Sequence, residues 1–154
     1  MPSVKLAPQT MMVHTLADLA ATETLAAHIA ALAQPGDAIL LEGPLGAGKT
    51  AFARAFLRAA AGDPDLVVPS PSYTLVQTYA THLGPVHHLD LWRLDGPAEL
   101  AELGWAEAMG DIVLVEWPDR LGPLAPADAL RMTFTIMGET CREIRLTGWP
   151  DRLE

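Results

Sequence analysis

Apolar and polar positions follow two different periods along the chain, and the switches between them mark its elements. Leu25, Ile29 and Leu32 recur at helical spacing, which predicts a helix over Leu16–Gln34 stopped by Pro35-Gly36. Asp37–Glu42 centres on the apolar run Ala38-Ile39-Leu40-Leu41, the pattern of a strand buried on both faces in a parallel sheet. A Gly-rich segment follows. After it comes Ala51–Ala61, rich in strong helix formers and ended by Gly62-Asp63-Pro64. Beyond Leu66 the pattern changes. Val67-Val68 leads into Pro69-Ser70-Pro71-Ser72, whose prolines exclude helix. Tyr73–Tyr79 and Pro85–Leu91 read as strands, and Pro97–Leu103 as a short helix after the Asp95-Gly96 turn. Ile112–Val115 reads as another buried strand running into Glu116-Trp117-Pro118, and Ala129–Met137 and Glu143–Thr147 as two final strands around a turn containing Gly138. This order predicts one α/β domain over residues 1–154 with a mixed sheet. It holds more strands after the Gly-rich segment than a simple doubly wound kinase.

Composition adds limits rather than identity. Of the 154 residues, 50% are hydrophobic and 19% charged, enough apolar material for one continuous core. No stretch approaches the roughly 20 apolar residues of a membrane helix, and Met1–Thr10 has no apolar signal-peptide core. The single cysteine, Cys141, cannot form an internal disulfide, in keeping with a reducing, cytoplasmic compartment. The formal net charge is −9, with 10 Lys and Arg in total, and the two lysines are Lys5 and Lys49. Tight direct binding of DNA or RNA needs a basic face, so any role in nucleic-acid metabolism is expected to run through a partner that carries the positive charge.

The chemistry concentrates in Gly43-Pro44-Leu45-Gly46-Ala47-Gly48-Lys49-Thr50, a full match to G-x-x-x-x-G-K-[ST] between a buried strand and a helix. Glycines let the backbone curl so that successive N–H groups face phosphate oxygens, and the following helix adds the positive end of its dipole. Lys49 is expected on the β- and γ-phosphates and Thr50 on Mg2+. Guanine-specific GTPases use Asn-Lys-x-Asp, and this chain contains no asparagine, which favours ATP. Hydrolysis needs a carboxylate at the magnesium and a group that orients water. Glu116, closing an apolar strand, and Asp90, near the end of another, are the candidates. Two carboxylates converging on one Mg2+ would explain buried negative charge in such a site. The His87-His88 pair has no second His/Cys cluster at ligand spacing and reads as partly exposed histidine beside the sheet. Trp117 fits core packing and a lid over the nucleotide equally well.

Together these segments resemble the bacterial TsaE (YjeE) ATPase family of tRNA threonylcarbamoyladenosine biosynthesis. The resemblance rests on Leu41–Thr50, Ser70-Pro71-Ser72-Tyr73-Thr74-Leu75-Val76, His88-Leu89-Asp90-Leu91-Trp92-Arg93-Leu94 and Val115-Glu116-Trp117-Pro118, in that order and at that spacing. It implies a P-loop NTPase-like three-layer fold with a mixed, mainly parallel sheet. It also implies an ATPase, weak alone, that acts with TsaB and TsaD and meets tRNA only indirectly; TsaD transfers the threonylcarbamoyl group. In its terms Gly43, Leu45, Gly46, Ala47, Gly48 and Lys49 hold the nucleotide, while Thr50, Glu116 and Asp90 belong to the magnesium and catalytic site with Lys49. Ser72 lies in a switch loop near the γ-phosphate, Trp117 close to the nucleotide, and Thr22 and Arg142 near adenine or ribose. The chain departs from the family pattern at Ser72, where Thr is usual, at Trp92, where Tyr is common, and at Ala51, where a second hydroxyl is frequent. A small-molecule kinase is the main alternative, against which stands the lack of an arginine cluster that reads as a lid; a nucleotide-binding regulator without turnover is the other.

Overall fold

The structure, a computed structural model, describes residues 11–153. Met1–Thr10, read above for targeting signals, lies outside them. The chain runs β1 (Met11–Leu16), α1 (Leu19–Leu32), β2 (Ala38–Glu42), α2 (Lys49–Ala61), β3 (Val76–Thr81) and β4 (Gly84–Asp90). After the 3-10 turns of Pro97–Ala101 come α3 (Trp105–Ala108), β5 (Ile112–Glu116), a second 3-10 segment at Pro118–Leu124, β6 (Leu130–Ile136) and β7 (Arg142–Thr147).

One seven-stranded sheet has the order β1-β7-β6-β2-β5-β4-β3. Pairs β2–β5, β2–β6 and β4–β5 are parallel; β1–β7, β6–β7 and β3–β4 are antiparallel. The four central strands therefore run together, with β1 in the same sense at one edge and only β7 and β3 opposed. The sheet is mixed and mainly parallel. Strands β2 and β5, apolar at every position before their closing Glu42 and Glu116, sit at its centre, because only strands covered on both faces can be apolar on both.

Alternation divides β2 and β5 between two cores. Ile39, Leu41, Ile112 and Leu114 pack with Leu25, Ile29, Phe52, Phe56 and Leu57 under α1 and α2. Ala38, Leu40, Val113 and Val115 pack with Leu91, Leu94, Leu100, Trp105 and Leu121 beneath the short helical turns of the other face. Helix, sheet and helical turns make three layers, in the P-loop NTPase-like arrangement expected. Phe52 lies one turn past the glycine segment and meets the rings of Phe56 and Phe134 at 6.4 and 6.1 Å between centroids, which seats α2 on the sheet.

Several boundaries differ from the sequence reading. The first helix does not begin at Leu16. That residue closes β1, which pairs with β7, and Asp18 caps α1 by accepting the Ala21 N–H at 2.9 Å. As an edge strand, β1 leaves Met11 and Val13 exposed, so its face pattern is weak. The strand expected at Tyr73 starts at Val76. Leu75 adopts φ 68° and donates its N–H to the Pro71 carbonyl at 2.7 Å, which carries the proline loop further. Pro97–Leu103 forms 3-10 turns rather than an α-helix, and Gly104, at φ 78°, opens α3 instead.

Phe52→Ala is expected to lower unfolding free energy by about 3–5 kcal/mol, the usual cost of removing a buried phenylalanine, read from the midpoint of urea denaturation.

Candidate active site

The loop between β2 and α2 owes its shape to glycines. Gly46 and Gly48 hold φ of 79° and 102°, a region that disfavours side chains, and a Cβ at either would meet no atom within 4 Å. The loop thus lies open on that side rather than pressed against the protein. At Gly43 the constraint is contact, because a Cβ would stand 2.9 Å from the Phe134 carbonyl oxygen on β6. Gly48 caps α2 in the left-handed conformation. No side chain caps the helix, and its first turn holds no acidic residue. The orphan N–H groups and the positive dipole end there are consequently left to an anion.

Lys49 opens α2. Its ammonium donates to the Gly43 carbonyl at 2.7 Å and stands 3.4 Å from the Trp117 ring centroid. Only 4% of the residue is exposed. Burial holds its pKa below the ordinary 10.5, opposed by the negative charges of Glu116, Asp90 and Asp119. The next hydroxyl, Thr50 Oγ1, donates toward Glu116, 2.9 Å from Oε1 and 3.0 Å from Oε2. Glu116 ends β5 and is 3% exposed. Its register partner is Asp90, the last residue of β4, so the two carboxylates come from adjacent strand ends. Asp90 accepts from Ser72 Oγ at 3.2 Å and from the Trp92 N–H at 3.0 Å. Ser72 in turn shares a 2.8 Å hydrogen bond with Ser70, which ties the proline loop to the strand end. Gly46, Gly48, Lys49, Thr50, Ser70, Ser72, Asp90, Glu116 and Trp117 line one cleft of about 260 Å3.

Trp117 has φ 58°, unusual for a residue with a side chain. The turn lays its indole over Lys49 and against Trp92, whose ring centroid is 4.5 Å away. Trp117 also borders the neighbouring space beside Gly43, Pro44 and Asp119. Leu45 stands at the loop tip, 83% exposed, and Ala47 is fully buried.

The two residues expected near adenine or ribose take the following places. Arg142, at the start of β7, donates to the Gly46 and Ala47 carbonyls at 3.3 and 3.2 Å and to the Gly138 carbonyl at 2.9 Å. It braces the glycine loop against the β6–β7 turn. Thr22 is buried in the first part of α1 and does not line the cleft.

The histidine pair separates. His87 shares a 2.9 Å hydrogen bond with Thr78 Oγ1 and another of 2.8 Å with Asp111, at the sheet margin. His88 is fully buried, with Nε2 2.7 Å from Glu116 Oε2. This corrects the reading of both histidines as partly exposed. Parity was the available signal, since His88 shares a face of β4 with Val86 and Asp90. Among the described residues, no group of three His, Cys, Asp or Glu side chains converges as a metal cage. Two carboxylates, a hydroxyl and loop amides instead suit a hard cation that brings phosphate oxygens and water with it. Among the same residues, no helix is long and apolar enough to cross a membrane.

A model of the family described as threonylcarbamoyl adenosine biosynthesis protein TsaE matches residues 16–144. A Rickettsia felis protein described as tRNA threonylcarbamoyladenosine biosynthesis protein TsaE is 36% identical over 122 residues, 79% of this chain and 71% of the relative. The protein of the same description from Bacillus subtilis is 33% identical over 135 residues, 86% and 83% of the two chains. Among solved structures, Bacillus subtilis YdiB superposes with a TM-score of 0.74 at 28% identity, over 93% of this chain and 88% of that one. With its glycine loop, its strand-end carboxylates and a family match over most of its length, the chain belongs to the TsaE family of tRNA threonylcarbamoyladenosine biosynthesis.

Proposed function

We propose that this protein is a Mg2+-dependent ATPase of the cytoplasmic tRNA threonylcarbamoyladenosine machinery, acting with TsaB and TsaD and not itself transferring the group. One observation carries this reading. The Thr50 hydroxyl and the buried Glu116 carboxylate meet at 2.9 Å directly behind an uncapped helix N-terminus, beside the Lys49 ammonium. That arrangement joins an anion seat to a hard-cation seat, and a magnesium triphosphate satisfies both at once.

The residues present fit such a ligand. The open side of Gly46 and Gly48 admits phosphate oxygens close to the backbone. Mg2+, when bound, neutralises charge on the β- and γ-phosphates. Lys49 adds one positive charge, and a phosphate acceptor replaces its present contact with the Gly43 carbonyl. Thr50 and Glu116 orient the cation. Asp90, joined to the proline loop through Ser72, is placed to hold or position water at the same strand end. Trp117 shields the ammonium from solvent, which strengthens each of these contacts. A net charge of −9 supports a reading in which the partners hold the RNA.

Two variants and one assay outcome test the roles. Lys49→Ala is expected to weaken Mg-ATP binding at least tenfold by calorimetry; unchanged affinity removes the lysine from the phosphates. Glu116→Ala is expected to keep ATP binding in EDTA and lose at least a hundredfold in hydrolysis, read as phosphate release with TsaB and TsaD present. Phosphate appearing on a metabolite rather than in solution replaces this reading with a kinase.

The lowered pKa of Lys49 also sets a pH dependence. The free protein releases that proton at lower pH than an ordinary lysine, whereas bound triphosphate favours the ammonium. Above that lowered pKa, up to the pKa of the bound state, ATP binding is therefore expected to take up a proton, and affinity to fall as pH rises. Calorimetry in two buffers of different ionisation heat reads the uptake.

A further inference from the structure

Glu116 is a carboxylate with almost no access to water, and such a group needs hydrogen bonds to stay charged. Thr50 supplies one proton, shared between both oxygens at 2.9 and 3.0 Å. That hydroxyl is also the group expected to turn an oxygen lone pair toward a cation. A second donor must hold the carboxylate whatever Thr50 does. His88 is that donor. It lies two residues before Asp90 on β4, in register with Leu114 of β5, and its fully buried ring reaches Glu116 Oε2 at 2.7 Å.

His88 Nε2 lies 2.7 Å from Glu116 Oε2, and a donor there keeps hold of that oxygen when Thr50 turns toward a cation. His88 Nδ1 is buried with no hydrogen-bond partner among the described residues, so the ring's one polar contact there is with Glu116.

Resting on the nucleotide-site reading above, we propose that His88 is a positioning residue for the metal: its Nε2–H holds Glu116 in the cation-binding orientation. His88 does not touch nucleotide or cation. Its effect passes through one oxygen of Glu116. Partners of this kind commonly carry a 10- to 100-fold share of metal affinity.

The test substitutes His88 with Gln, Asn and Leu in the full chain. The Gln amide reaches the Nε2 position and keeps a neutral N–H donor there; the Asn amide reaches only the Nδ1 position; Leu has no donor. Mn2+ uptake is titrated by electron paramagnetic resonance in the presence of a non-hydrolysable ATP analogue, and analogue affinity in EDTA is measured alongside. His88→Gln is expected to bind Mn2+ within about threefold of the parent. His88→Asn and His88→Leu are expected to bind it at least tenfold more weakly, with a much smaller change in EDTA. Equal Mn2+ affinity in Gln and Asn variants, or a Gln variant as weak as Leu, overturns the positioning role. If affinity in EDTA falls as far as Mn2+ affinity, His88 is supporting the fold and the proposal is also overturned. A parent protein that binds the analogue in neither condition overturns the nucleotide reading itself, an outcome distinct from the others.

Discussion

A charged carboxylate buried between a helix and a sheet is the constraint around which this site is arranged. Glu116 closes β5, whose other residues are all apolar, and water reaches almost none of it. Such a charge stays buried only with donors on its oxygens or an opposite charge beside it. Thr50 reaches it from α2, His88 from β4, and the Lys49 ammonium adds positive charge nearby. The helix must be held at one height over the sheet for these contacts to exist. That is the task of Phe52, Phe56 and Phe134, which pack one turn beyond the loop.

Several residues that look separate in the chain act on this one point. Arg142 is far away in sequence, yet it clamps the loop carbonyls and so fixes where the loop amides face. Ser70 and Ser72 fasten the proline loop to Asp90, so that this loop and the second carboxylate move together. Trp117 turns through a left-handed backbone conformation, which costs of order 1–3 kcal/mol, and its ring meets both the Lys49 ammonium and, at a tilt of 49°, the Trp92 ring. That strain falls at the residue directly after the buried Glu116 carboxylate.

Membership of the TsaE family sets these features in tRNA threonylcarbamoyladenosine biosynthesis. A net charge of −9 disfavours direct binding of RNA by this chain. Exposed Leu45, Tyr73 and Trp92 lie on the loop tip, the proline loop and the segment after β4, around the same end of the sheet.

Local pattern determined a good deal. The apolar runs of β2 and β5, the glycine spacing from Gly43 to Thr50 and the strand-end placement of Asp90 and Glu116 were legible because each depends on short stretches of chain. So were the helix stop at Pro35-Gly36 and the strong helix after Thr50. What folding alone decided is long-range. Edge strand β1 carries a weak face pattern and exists because β7 offers it an open edge. His88 looked like its neighbour His87, and only the packing of β4 beside β5 buries one ring against Glu116 while the other meets Asp111. Arg142 reached the loop backbone, and Thr22 stayed outside the cleft, for the same reason. A side chain's partner across the sheet is set by strand order and register, and neither is written in the spacing of a single segment.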